Sequence, residues 1–241
     1  MPRRARLHSI QPGHPHHLVL RGNNRRQLFT EHVARELFLE YLGDASRRWS
    51  CPLHALTLMD NHVHLVTTPP TLVAMSKFVQ SFAQRYAQRR NRLRGGSGRL
   101  FEERFYAECL RDEAHMAATI PYVELNPERA GIVASPDQYA WSTYHLHALG
   151  PERSRIPASL WTPCDWYLGL ASTDEARRAT YREWFGMRRG QDVPNGEVLR
   201  ELEMASDRYT RRLRRPDGTR AAEDELAYGS GLPYESPSSA K

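Results

Sequence analysis

His16 to Arg21 reads HHLVLR, an apolar-centred run closed by Gly22-Asn23-Asn24, and predicts a first strand followed by a turn. From Glu31 to Trp49, Val33, Leu37, Phe38, Tyr41 and Leu42 recur at helical spacing and predict an amphipathic helix. Cys51 to Met59 alternates, with Leu53, Ala55, Thr57 and Met59 on one face and His54, Leu56 and Leu58 on the other. Asp60-Asn61 and then His62–Val66 complete a hairpin. Leu72 to Arg94 predicts a long helix whose stripe is Leu72, Met75, Phe78, Val79, Phe82 and Tyr86. Gly95-Gly96-Ser97-Gly98 ends it, Arg104 to Leu110 predicts another strand, and Asp112 to Asn126 predicts a helix capped by Asp112. The order strand, helix, strand, strand, helix, strand, helix implies an α+β fold, one antiparallel sheet covered by helices. Beyond residue 150 the pattern loosens. Trp161, Trp166, Tyr167, Tyr181, Trp184 and Phe185 suggest a helical accessory region over 151–213, and the Gly/Pro/Ser content from Arg214 predicts a disordered tail over 214–241.

Composition narrows the class. The chain has 241 residues, 40% hydrophobic and 26% charged, enough for a packed core. No apolar run reaches the roughly 20 residues of a bilayer span, and MPRRARLHSI lacks the apolar centre of a signal peptide. Cys51, Cys109 and Cys164 are odd in number and scattered, which argues against a disulfide scaffold and fits a cytoplasmic protein. Of the 34 basic side chains all but Lys77 and Lys241 are arginine. Residues 1–111 carry 18 basic against 8 acidic side chains, and the remainder carries 16 against 20. Arginine forks suit phosphate, so the basic front suggests nucleic acid, although a GC-rich genome also replaces lysine by arginine without any function.

The chemistry lies in two short patterns. His62 and His64 stand at i and i+2 of a strand, so both project to one face and can ligate a single divalent cation. Tyr122 and Asn126 stand four apart on a helix and share its face, offering a hydroxyl nucleophile and an amide oxygen. Each pattern also has a plain structural reading, as strand histidines, a packing tyrosine and a helix C-cap. Pro121, just before Tyr122, either kinks that helix or opens a new one, which bears on where the tyrosine aims.

Arg21–Phe29 (RGNNRRQLF), Met59–Val66 (MDNHVHLV), Gly98–Phe105 (GRLFEERF), Tyr122–Val133 (YVELNPERAGIV) and Tyr139–Tyr144 (YAWSTY) resemble, in order, the REP-associated tyrosine transposases of the single-tyrosine His-hydrophobe-His superfamily. The resemblance covers roughly residues 10–150 and marks 1–150 as a catalytic unit. It implies a ferredoxin-like sheet with the nucleophile on an added helix, His62 and His64 as ligands of Mg²⁺ or Mn²⁺, Asn126 completing the metal site, and Tyr122 as nucleophile. It implies as partner single-stranded or hairpin DNA from repetitive extragenic palindromes, cut through a 5′-phosphotyrosine, and a chain acting as a monomer. A phenol with an ordinary pKa near 10 needs activation for such an attack. Glu128 departs from the family pattern, which commonly has an apolar residue there.

For DNA, Arg21, Asn23, Asn24, Arg25 and Arg26 follow the first strand and can meet backbone or base edges. Arg85, Arg89, Arg90, Arg92 and Arg94 can form a backbone track continued by Arg99 and Arg104, with Phe101, Phe105 and Tyr106 available for base stacking or for the core. Two other readings compete: a DNA-hairpin-binding protein whose nuclease is lost, and a structural zinc site joining His62 and His64 to one of His14, His16, His17 or Cys51.

Overall fold

The computed structural model describes residues 10–102 and 105–189; Arg104, the end of the accessory region and the tail expected over 214–241 lie outside the described residues. The core follows the predicted order: β1 (His16–Arg21), α1 (His32–Trp49), β2 (Leu53–Leu58), β3 (His62–Thr67), α2 (Leu72–Leu93), β4 (Tyr106–Cys109) and α3 (Glu113–Arg129). The strands form one sheet in the order β2-β3-β1-β4, with all three neighbouring pairs antiparallel. With helices joining β1 to β2 and β3 to β4, this is the ferredoxin-like topology.

Strand alternation sends the two faces of the sheet to different cores. Leu18, Leu20, Leu56, Leu58, Val63 and Leu65 pack with Phe38, Phe78, Phe82 and Tyr86 of α1 and α2. Val19, Ala55 and Val66 pack instead with Ile120, Tyr122 and Val123 of α3. The sheet is therefore sandwiched, and its α3 side also carries His62 and His64.

Strict alternation along β2 fails at one point. Leu53 pairs with Thr67 and Ala55 with Val66, so His54 sits in a bulge. The extra residue turns Leu53 to the side of Leu56 and Leu58, away from Ala55 and Thr57. His54 turns sideways, its Nδ1 to Thr162 O at 2.9 Å and its Nε2 to Thr68 Oγ1 at 2.9 Å.

Helix α3 runs unbroken through both Pro121 and Pro127. Each proline withholds an N–H from the carbonyl four residues earlier. The structure fills both gaps. Ala117 O, orphaned by Pro121, accepts from Trp184 Nε1 at 3.0 Å, and Val123 O, orphaned by Pro127, accepts from Asn126 Nδ2 at 3.4 Å. Asp112 caps the start by accepting from His115 N at 2.7 Å.

The chain past β4 and α3 is part of the same packing. Three helices, the short α4 (Tyr144–Ala148) and α5 (Asp165–Leu168) and the longer α6 (Asp174–Arg188), cover the outer side of α3. Tyr167, Tyr181 and Phe185 share the core that holds Tyr122 and Val19. At its centre Glu124, fully buried, accepts from Thr143 Oγ1 at 2.7 Å, His147 Nδ1 at 2.6 Å and Tyr181 Oη at 2.6 Å. Trp161 bonds His54 O at 3.0 Å and Thr162 N bonds Leu53 O at 2.7 Å, so packing continues without a break across residue 150. Among the described residues no helix is long and apolar enough to cross a membrane.

Candidate active site

The α3 face of the sheet gathers polar groups that sequence alone leaves far apart. His17, Val19 and Arg21 of β1 lie on the same face as Val66, His64 and His62 of β3, to which they are paired in that order. Tyr106 and Glu108 of β4 join them, through pairs with Val19 and His17. Tyr122 descends from α3 onto this row. Its ring lies 5.9 Å from that of His17 and 6.1 Å from that of His64, both edge-on, and the Arg129 guanidinium covers it at 5.0 Å. Residues from β1, β3 and α3, distant along the chain, thus close into one contact.

All three imidazoles are buried, His17 at 0%, His64 at 1% and His62 at 6% exposure. Burial, which disfavours the charged form, holds His17 and His62 down at about 3, with the His115 charge adding to the effect on His17 and Arg21 to that on His62. His64 is lowered well below its ordinary value by burial and then by its two histidine neighbours. All three rings are neutral at physiological pH, the form in which imidazole binds metal.

Hydrogen bonds set which nitrogens are available. His62 Nδ1 donates to Asn61 Oδ1 at 2.6 Å, which leaves its Nε2 as the lone-pair nitrogen. His64 Nδ1 is 3.0 Å from His17 Nε2, and His64 Nε2 is buried with no hydrogen-bond partner. The His62 and His64 rings stand 4.8 Å apart, roughly perpendicular. Two neutral nitrogens on one sheet face, one of them an orphan, fit two positions in the ligand set of a small divalent cation. Among the described residues no group of three or more His, Cys, Asp or Glu is placed to hold a metal, so the zinc reading finds no support. Asn126 is buried one turn beyond Tyr122, and its Nδ2 donates to Tyr122 O at 2.9 Å. That bond commits the amide nitrogen to the helix and leaves Oδ1 as the atom able to ligate.

Arg21 lies at the end of this row, cross-strand from His62, with its side chain 9% exposed. Its Nε is 4.0 Å from Glu102 Oε1, and Nε and Nη2 are buried without a hydrogen-bond partner. The next turn holds Asn23, Asn24 and Arg25, with Asn24 and Arg25 in left-handed backbone at φ 52 and φ 60. It is pinned by Gly22 N to Asn61 O and Asn23 N to Leu100 O, both at 2.8 Å. A Cβ on Gly22 would fall 2.1 Å from Arg26 O, so the tight return of this turn requires glycine.

The predicted arginines divide. Burial and then the nearby Arg94 and Arg26 charges depress the Arg90 guanidinium pKa, and burial and Arg25 act likewise on Arg21. They form a basic band from the end of β1 to the end of α2. Arg90 also donates to Gln27 O at 2.7 Å and Arg94 to Thr30 Oγ1, which ties the helix end to the turn. Arg85 faces away, held by Asp44 at 2.9 Å and stacked 4.2 Å over Tyr41. Arg89 and Arg92 are exposed near the end of α2. Arg99, Phe101 and Phe105 line a groove of about 510 Å³ against α2 that also includes Arg21, Gln80 and Gln84. Phe101 and Phe105 are both partly packed on the core, whereas Tyr106 faces the site and donates to Glu108 at 2.8 Å.

The site is thus a buried His-x-His pair on a ferredoxin-like sheet, under a helix-borne tyrosine and rimmed by arginine. Residues 11–126 match the sequence model described as transposase IS200 like, a family of DNA-cleaving and DNA-rejoining enzymes. No curated protein sequence matches the chain. Among solved structures it is similar to a REP-associated tyrosine transposase bound to a REP hairpin, with 17% identity over 68% of this chain and 92% of that one and a TM-score of 0.48. It is also similar to a candidate transposase from Deinococcus radiodurans, with 23% identity over 46% of this chain and 88% of that one and a TM-score of 0.34. The fold assignment rests on strand order and register.

Proposed function

We propose that the chain is a metal-dependent tyrosine transposase that cuts and rejoins single-stranded DNA at hairpin repeats through a covalent 5′-phosphotyrosine on Tyr122. The observation that carries this reading is the buried contact of Tyr122 with His64 and His17, in a row that ends at Arg21 with two unpaired nitrogens. A packing tyrosine has no need of three neutral histidines, and burying unpaired polar nitrogens costs stability that a structural role does not return.

In this reading the Tyr122 oxygen attacks the scissile phosphorus and the P–O3′ bond breaks. The 3′-oxygen leaves and takes up a proton, while the phenol loses one. Rejoining reverses the step on another 3′-hydroxyl, and the bond energy is kept in the phosphotyrosine. His62, His64 and Asn126 Oδ1 would hold Mg²⁺ or Mn²⁺, which when bound supplies charge neutralisation and orientation of the phosphate oxygens. Arg21 offers Nε and Nη2 to a phosphate oxygen without breaking any hydrogen bond, a preorganised fork of the kind that phosphate recognition uses. The band of Arg25, Arg26, Arg90 and Arg94 follows the strand backbone away from the site. Hairpin repeats as the target rest on the five ordered motifs that resemble the REP-associated enzymes.

The test is cleavage of a single-stranded palindromic oligonucleotide with Mg²⁺ or Mn²⁺, read as a protein–DNA adduct that survives denaturing electrophoresis. Tyr122→Phe is expected to lose the adduct and keep DNA binding. An adduct that persists in this variant assigns the nucleophile elsewhere. Binding without cleavage of any hairpin by the wild type leaves a DNA-hairpin-binding protein.

A further inference from the structure

The two ligand histidines are each controlled through Nδ1, but by different partners. For His62 the partner is Asn61 Oδ1, which only accepts, so the Nδ1–H tautomer is fixed. For His64 the partner is His17, from the other strand. The 3.0 Å Nε2···Nδ1 contact, with ring centroids 5.2 Å apart and planes within 17°, places the rings edge to edge and nearly coplanar, the geometry of an in-line N–H···N bond.

Between two neutral imidazoles that bond carries one proton, and there are two ways to place it. With the proton on His17 Nε2, His64 must be protonated at Nε2 and presents an N–H to the site. With the proton on His64 Nδ1, His64 Nε2 is a bare lone pair, and His17 carries its own proton on Nδ1. Only the second arrangement makes His64 a ligand. Both outer nitrogens, His17 Nδ1 and His64 Nε2, are buried without a hydrogen-bond partner, so either arrangement leaves one buried N–H unsatisfied and only the use made of His64 separates them.

We infer that His17 is a positioning residue, which accepts from His64 Nδ1–H and so holds His64 in the tautomer whose Nε2 can bind the cation. The pairing rests on the 3.0 Å contact alone, and the choice of tautomer rests on the metal reading above. His17 touches neither phosphate nor metal in this scheme; it acts through His64, as Asn61 acts through His62. Its edge contact with Tyr122 adds a second consequence, since the ring that sets His64 also bounds the space of the tyrosine ring. Outer partners of metal-bound histidines typically change metal affinity by about 10–100-fold when removed.

The experiment uses the full chain labelled with ¹⁵N-histidine and free of metal. Long-range ¹H–¹⁵N correlation spectra should show His64 and His62 both protonated at Nδ1. In His17→Leu, His64 should move to the Nε2–H tautomer, and Mn²⁺ affinity measured by titration calorimetry should fall about 10–100-fold. His17→Gln, whose amide oxygen can accept from Nδ1–H, should keep the wild-type tautomer and most of the affinity. Thermal melts of both variants show that the fold is intact. A wild-type His64 protonated at Nε2, or a His17→Leu protein with the wild-type tautomer and Mn²⁺ affinity, overturns the inference. A wild type with the expected tautomer that binds no Mn²⁺ overturns the metal reading and leaves the pairing standing.

Discussion

The repair of α3 by α6 gives the sharpest test of how the C-terminal region supports the site. Pro121 leaves Ala117 O without its helical partner, one residue before the tyrosine, and Trp184 Nε1 supplies the replacement at 3.0 Å. Trp184→Phe removes that donor while keeping an aromatic ring in the packing against Trp166 and beneath Arg188. Leaving a mostly buried carbonyl unsatisfied costs about 1–3 kcal/mol, and because Trp184 is only half-buried the lower half of that range applies. Pro121→Ala restores a backbone N–H to the same carbonyl. In that background the indole bond is redundant, and Trp184→Phe should cost only the change in ring packing. Urea denaturation of the wild type, both single variants and the double variant gives the coupling directly, expected at about 1 kcal/mol. If Trp184→Phe destabilises both backgrounds equally, the indole is not replacing the proline's lost bond, and the account of α3 continuity fails. The cleavage rate should fall in Trp184→Phe more than in Trp184→Phe with Pro121→Ala, because the weakened turn adjoins Tyr122.

Acid should loosen the site before the rest of the fold. His17 and His62 sit near 3 when folded against about 6.5 unfolded, so the unfolded chain binds more protons between those values. Stability is complete above about pH 6.5 and falls as pH drops towards 3, by about 1.4 kcal/mol per pH unit for each such histidine. Melting temperatures that stay flat from pH 7 to pH 4.5 would contradict this. For DNA, Arg26→Ala should lower the salt slope of single-strand binding by about 0.7, the contribution of one phosphate contact. Arg85→Ala should leave the slope unchanged, because Asp44 and Tyr41 already engage that side chain; fluorescence anisotropy across a salt series separates the two.

Periodicity made the seven main elements legible because each is long enough to repeat its pattern and is bounded by turn or cap residues. The Leu72–Leu93 helix and the His62–Thr67 strand end within one residue of the pattern that predicts them. The β2 bulge escaped because a single inserted residue leaves the composition of an alternating run unchanged, and only the partner strand defines it. The C-terminal region was expected to be helical, but its individual helices escaped for a related reason. Their residues are aromatic without a clean period, since α4 and α5 are five and four residues long and are held by tertiary contacts with α3. The continuity of α3 through Pro121 was equally hidden, because its remedy comes from an indole 67 residues away.

The same distinction separates the visible from the invisible parts of the site. His62 and His64 reveal themselves by i, i+2 spacing, and Tyr122 and Asn126 by i, i+4 spacing, since local geometry alone puts each pair on one face. His17 and Arg21, named from sequence only as a zinc-ligand alternative and a DNA contact, also stand on alternate positions of β1, yet nothing local says which face of β1 looks at which face of β3. That is decided by the register His17↔Val66, Val19↔His64 and Arg21↔His62. The register in turn follows from burial: Leu18 and Leu20 must meet Leu65 and Val63 under α1 and α2, and a slip of one residue would turn the leucines towards α3 and the histidine and arginine into the aliphatic core. The hydrophobic side of β1 therefore selects the alignment that delivers His17 to the tyrosine and Arg21 to His62. A substitution that weakens the α1–α2 core should reach the active site through this strand.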